Sequence, residues 1–97
     1  MNIKEKIEAL LKRANISDLH IVVSIRNNGL EKSFVVGNGM IVLQINILPD
    51  RVSCFTVKKE NYMDVSASYF NTLGNEMDAV EHVLRLWLFQ NKNIEIE

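Results

Sequence analysis

Hydrophobic residues near the start of the chain recur with the spacing of an α-helix. One stripe of a helical wheel collects the apolar side chains Ile3, Ile7, Leu10, Leu11 and Ala14. Asn2 stands where a residue could cap the first turn, with Glu5 three positions later, and Asn15 can end the helix in the left-handed conformation. The pattern predicts a helix over residues 1–15.

From Leu19 onward, apolar and polar residues alternate, which is typical of β-strands because successive side chains point to opposite faces. Turn-forming pairs interrupt the alternation at Asn28-Gly29, Asn38-Gly39, Pro49-Asp50 and Glu60-Asn61. The segment 19–70 is therefore predicted to form a five-stranded antiparallel meander.

Two-residue turns would fix the pairing of these strands and thereby the composition of both faces. One face becomes almost wholly apolar, with Ile21, Val23 and Leu43 near its centre, while Lys32 and Lys58 fit it poorly. The other face acquires a row of four valines, with Phe55 and Met40 beside it: Val22, Val35, Val42 and Val57.

A second amphipathic segment follows the strands. Asn75 can cap a helix over 75–91, and its apolar arc covers about half the circumference, which suggests burial against two surfaces. Residues 92–97 form a tail. We expect one α+β domain over 1–97 with element order α-β-β-β-β-β-α and both helices on one sheet face. One helix on each face, in a three-layer monomer, is the alternative.

Composition and charge exclude several classes of protein. Apolar residues make up 47% and charged residues 24%, which is usual for a globular domain, and a net charge of −1 gives no general attraction for nucleic acid or acidic lipid. The start of the chain does not resemble a signal peptide, and no apolar run is long enough to cross a membrane. The single Cys54 is typical of a reducing compartment. These features predict a cytoplasmic protein.

Side chains with catalytic or metal-binding chemistry are sparse and scattered along the chain. The Gly37-Asn38-Gly39 segment is too short for a phosphate-binding loop, the histidines lack neighbouring ligands, and Cys54 falls in the middle of a strand. We therefore expect no enzymatic activity, no cofactor and no metal. An enzyme assembled between chains stays open, and it would bring His20, Tyr62 and Asp64 together in one pocket.

Association with another protein is the function that this pattern favours. If both helices cover one face, the valine row of the other face is left in water, as apolar patches at interaction sites often are. The predicted protein interface consists of Val22, Val35, Met40, Val42, Phe55, Val57 and Tyr62. It would serve a homodimer or a protein partner, and the composition, rich in Asn, Ile and Lys, is typical of a bacterial or phage-encoded inhibitor or adaptor.

Binding of single-stranded nucleic acid on the same open face is the alternative function. Phe55 and Tyr62 could stack on bases, while Arg26 and Lys59 could reach phosphates. Valine and serine outnumber aromatic residues on this face, so protein binding remains the first hypothesis.

Overall fold

The computed structural model describes residues 2–38, 42–57 and 75–96, and the backbone of 63–70. Its elements, in chain order, are α1 (Ile3–Arg13), β1 (His20–Arg26), a short 3₁₀ turn (Asn27–Gly29), β2 (Glu31–Gly37), β3 (Val42–Ile47), β4 (Arg51–Val57), β5 (Met63–Phe70) and α2 (Glu76–Lys92). The protein therefore belongs to the α+β class, with an antiparallel sheet between an N-terminal and a C-terminal helix. That class and those helices are as predicted.

The ends of α1 follow from its two flanking asparagines. The Asn2 side-chain Oδ1 accepts a hydrogen bond of 2.8 Å from the Glu5 N–H, which satisfies a free donor of the first turn. At the other end Asn15 has a φ of 62°, and the Ile16 N–H donates to the Leu11 carbonyl at 2.9 Å. This is the usual left-handed helix ending, and it stops α1 at Arg13.

The second helix is capped less completely. Asn75 occupies the N-cap position of α2, but its side chain makes no capping hydrogen bond. Asn93 ends the helix with a φ of 54°. The helix thus lies one residue later than the predicted 75–91.

Strand pairing joins neighbours along the chain, in the order β1-β2-β3-β4-β5. The β1–β2 and β3–β4 registers are those predicted: Val22 pairs with Val35, and Gln44 with Phe55. The β2–β3 register is displaced by two residues from the predicted one. Gly37 pairs with Val42, which leaves residues 38–41 between them. A displacement by two preserves the side of the sheet that each side chain faces.

The last pairing contains an irregularity. Cys54 pairs with Ala67, whereas the next residue, Phe55, pairs with Val65, so β5 holds one extra residue at this point. The extra residue constitutes a β-bulge, which bends and twists the strands locally.

One hydrophobic core lies between the helices and one sheet face. The sheet contributes side chains of alternate residues in β2, β3 and β4: Phe34, Val36, Leu43, Ile45, Ile47, Val52 and Cys54. Both helices pack into the same cluster, through Ile7, Leu10 and Leu11 of α1 and Val80, Val83, Leu84, Trp87 and Leu88 of α2. We call this side of the sheet the helix face and the opposite side the outer face.

Polar groups at the margins of the core have specific partners. The Trp87 indole N–H donates to the Thr56 Oγ1 at 3.1 Å, which satisfies both groups on the helix face. Lys32, which fitted this face poorly in the sequence, extends to its rim and lies 3.4 Å from the Glu76 carboxylate. Lys58 lies outside the described residues.

A chain of charges connects the two helices and the tail. The Glu81 carboxylate lies 2.5 Å from the Lys6 ammonium of α1 and 3.0 Å from the Arg85 guanidinium one turn later in α2. Arg85 also donates to the Ile96 carbonyl. These contacts hold the pKa of Glu81 below its usual value, chiefly through the Lys6 hydrogen bond, while burial acts in the opposite direction and offsets part of that effect.

Candidate protein interface

Among the strands whose side chains the structure describes, β1 to β4, the core covers β1 least. From Val22 to Arg26 every residue is exposed. Val22 on the outer face is 62% exposed, and on the helix face Val23 and Ile25 are 42% and 63% exposed. Since soluble domains bury most β-branched side chains of their strands, a strand that exposes them on both faces is unusual and indicates a surface for association.

The exposure of the helix face at β1 follows from the dimensions of the two layers. Helices pack with their axes about 8–10 Å apart, and strands lie about 4.8 Å apart, so two helices cover about four strands. Contacts of α2 fall on β4 and β5, and α1 lies beside α2. The cover therefore starts from the β5 side of the sheet, and β1 beyond Ile21 lies outside it.

The backbone of β1 is also unpaired along one side. Among the described strands β1 pairs with β2 alone, because it stands at the end of the strand order. An edge strand leaves every second N–H and C=O pointing away from the sheet, free to pair with another extended chain. Natural edge strands usually carry inward-pointing charges or proline that discourage such pairing, and His20–Arg26 has neither within its apolar stretch.

The centre of the outer face is less open than the sequence predicts. Gln44 donates from its Nε2 to the Ser33 Oγ and to the Asn46 Oδ1, both at 2.8 Å, and Ser33 is buried. These bonds fix a polar cluster in the middle of the face. They also keep that part of the face from being a continuous apolar surface.

Phe55 requires a correction, because its ring is enclosed and does not face solvent. Phe55 is 4% exposed. Its neighbour Cys54 points to the helix face and is also buried, so side chains on both faces are covered at this point of β4. Phe55 of β4 stands at the bulge, between β3 and β5. It is therefore part of the protein interior and offers neither a docking contact nor a ring for base stacking.

The other predicted interface residues fall into three groups. Val22 and Val42 are exposed, Val35 and Val57 are half-buried, and Met40 and Tyr62 lie outside the described residues. The displaced β2–β3 register breaks the predicted valine row, since Val35 pairs with Gln44 rather than with Val42. Sequence reasoning missed the exposure of Val23, Ile25 and Leu30, because strict alternation assigns the first two to a covered face.

Groups with catalytic chemistry are not brought together in the described part of the chain. No cluster of three or more His, Cys, Asp or Glu side chains occurs there that could hold a metal ion. Cys54 is buried, and burial raises the pKa of its thiol well above the ordinary value, so the thiolate is disfavoured. His20 belongs to β1 and Asp64 to β5, at opposite ends of the strand order. Only two chains together could place them in one site.

A shallow groove of about 550 Å³ lies where α1 passes the start of β1. Its charged lining includes two basic residues, Lys4 and Lys12, and two acidic residues, Glu8 and Asp18. Equal numbers of opposite charges give no preference for an anionic or cationic ligand. The groove continues the exposed surface of β1 rather than forming an enclosed pocket.

Neither helix described in the structure has the length and apolar character needed to cross a bilayer. Comparisons with protein families, with curated proteins and with solved structures gave no match for this chain.

Proposed function

We propose that this chain is a non-enzymatic protein-binding domain that acts by association, through the β1 end of its sheet. The observation that carries the proposal is the exposure of β1 on both faces, with Val22, Val23 and Ile25 each more than 40% exposed. The surface meant here, which we call the β1 surface, comprises β1 with two further exposed residues: Leu30, which follows the turn after β1, and Val42 of β3, which lies across β2.

The energetic argument favours a binding surface. Fully burying a Val, Leu or Ile side chain contributes roughly 1.5–3 kcal/mol, so covering the exposed half of each residue on the β1 surface contributes about 1 kcal/mol. Several such residues together give a few kcal/mol before the entropic cost of association. That amount suits reversible docking by an inhibitor, adaptor or other regulatory protein of the cytoplasm.

The nucleic-acid alternative loses support on the outer face. Stacking on bases needs exposed aromatic rings, and Phe55 is enclosed. Of the two cations expected to contact phosphate, Arg26 is described by the structure, whereas Lys59 lies outside the described residues. Arg26 lies 3.9 Å from the Glu31 carboxylate, which reduces its attraction for phosphate. We therefore retain protein binding as the function.

A pair of charge-matched variants tests the proposal. Val22→Glu introduces a carboxylate into the β1 surface, whereas Gln90→Glu introduces the same charge on an exposed position of α2. Chemical cross-linking in the native host, followed by mass spectrometry, should give an adduct that Val22→Glu loses and Gln90→Glu retains. Both variants should keep the wild-type circular dichroism. If no adduct depends on Val22, whether with another protein or with a second copy, the proposal is wrong.

A further inference from the structure

We infer that the occupant of the β1 edge is a second copy of this chain, which pairs β1 with β1 in antiparallel orientation across a two-fold axis and so continues the sheet from one copy into the other. The inference rests on the proposed protein-binding function and names its partner. Three features of the strand lead to it: its side-chain pattern, its backbone geometry and the charges at its two ends.

The side chains of β1 are arranged symmetrically about its midpoint. The strand runs from His20 to Arg26, so Val23 stands at its centre, with Ile21 and Ile25 two positions away on either side. When two copies pair about this centre, Val23 meets itself and Ile21 meets Ile25 of the second copy. All three face the helix side. Ile21 already packs against the core of its own chain, so each copy would mainly cover Val23 and Ile25 of the other, which the helices leave exposed.

The backbone accepts this pairing without a change of face. In an antiparallel pair, directly opposed residues project to the same side, and the N–H and C=O groups that point outward belong to every second residue. A pairing centred on one residue always opposes odd positions to odd ones and even positions to even ones. Outward-pointing groups therefore meet outward-pointing groups, and both helix layers lie on the same side of the joined sheet.

The two ends of the strand carry complementary charges. Asp18, exposed just before β1, is acidic, and Arg26, exposed at its end, is basic. Antiparallel pairing about Val23 places Arg26 opposite His20 of the second copy and two residues from its Asp18. The two-fold axis gives this approach of Arg26 to Asp18 at both ends of the contact. Such rim charges favour the antiparallel arrangement over a parallel one.

The interface is small, which sets the affinity to expect. An interface built on one strand edge and its side chains falls at the low end of specific interfaces, below about 1,200 Å² in total. We expect a reversible dimer with micromolar dissociation, closed by its own symmetry because the pairing consumes the exposed edge of both copies.

Position-specific disulfide formation tests the register directly. Val23→Cys places two thiols on the two-fold axis, where directly opposed Cα atoms are about 4.5–5.5 Å apart and within the range that a disulfide spans. Ile25→Cys is the matched control, because it lies on the same face and is more exposed, yet its copies are displaced by about four residues, or 13 Å, along the strands. The buried Cys54 does not compete.

Under mild oxidation at micromolar concentration, Val23→Cys should form a covalent dimer and Ile25→Cys should remain monomeric on non-reducing gels. Equal cross-linking of the two variants would indicate random collision and would overturn the inference. So would a wild-type protein that sediments as a monomer at several hundred micromolar, roughly a hundredfold above the expected dissociation constant. Binding of a fluorescent single-stranded oligonucleotide by that monomer would overturn it equally.

A charged substitution provides an independent readout. Ile25→Lys should weaken dimerisation by roughly 30-fold or more in sedimentation equilibrium, since each substitution acts twice in a symmetric dimer, whereas Gln90→Lys should leave it unchanged. Equal dimerisation of the two lysine variants would refute the edge-to-edge contact. If the protein is monomeric but a heterologous adduct still depends on Val22, the second-copy inference fails while the proposed function stands. If no Val22-dependent adduct of either kind forms, both fail.

Discussion

Ile25 and Ile45 allow the uncovered state of β1 to be measured as a difference in stability. Both isoleucines belong to strands of the same sheet and project to the helix face, but Ile25 is 63% exposed and Ile45 is 0% exposed. Replacing either with alanine removes the same atoms. The two substitutions should therefore differ only in the environment that those atoms leave.

The magnitudes follow from burial. A buried Ile→Ala substitution costs about 2–5 kcal/mol, because transfer and cavity terms add, and we take about 3 kcal/mol for Ile45→Ala. Ile25 keeps only about a third of its surface buried and leaves no closed cavity, so Ile25→Ala should cost less than about 1 kcal/mol. With an m-value of about 1.5 kcal/mol/M, the urea midpoints should fall by about 2 M for Ile45→Ala and about 0.5 M for Ile25→Ala.

The measurement is equilibrium unfolding in urea at submicromolar protein, where self-association does not stabilise the folded state. Repeating it at a hundredfold higher concentration should raise the midpoint of the wild type more than that of Ile25→Ala, if Ile25 contributes to the dimer. Equal losses of stability for the two alanine variants at low concentration would show that β1 is covered within one chain. The reasoning behind the interface would then be refuted.

Two further predictions concern the margins of the core. Thr56→Val keeps the shape of the side chain but leaves the buried Trp87 N–H without its acceptor, so unfolding free energy should fall by about 1–3 kcal/mol in urea titration, and an unchanged value would contradict the hydrogen bond. The pKa of Glu81 is lowered, chiefly by Lys6, so its contribution to stability is present above the pKa of an unfolded carboxyl, about 4.3, and is lost as pH falls through the lower folded value. Glu81→Gln should lower the free energy of unfolding by up to about 1 kcal/mol at neutral pH. It should also make that free energy depend less on pH below about pH 5, whereas an equal loss at every pH would refute the ion pair.

Local signals in the sequence predicted the helices and much of the strand pairing. The caps of α1 and the turns at Asn28-Gly29 and Pro49-Asp50 depend on residues close together in the chain, so short-range chemistry was sufficient to predict them. The β2–β3 register was predicted two residues away from the observed one, because the prediction placed it from the Asn38-Gly39 turn signal alone. The error left the faces intact, since it displaced the strand by an even number.

The candidate site was harder to predict because it depends on the width of the helix layer. The alternation of Ile21, Val23 and Ile25 marks a face but gives no measure of how far the helices reach across it. We expected two helices to shelter all the strands, whereas their diameter suffices for about four. Likewise Phe55 is enclosed although it projects to the face opposite the helices, and no local pattern in the sequence signals that enclosure. Both errors arise from tertiary geometry.

The position of Trp87 has a consequence for spectroscopy. It is the single tryptophan of the chain, it is 1% exposed, and its indole is fixed against Thr56 of β4, far along the strand order from β1. Its emission will therefore shift when the interior opens to water but will be insensitive to a second chain arriving at the sheet edge. The protein thus carries a built-in optical reporter of unfolding that is silent toward docking, and the two equilibria can be followed separately in one sample once a dye is attached to β1.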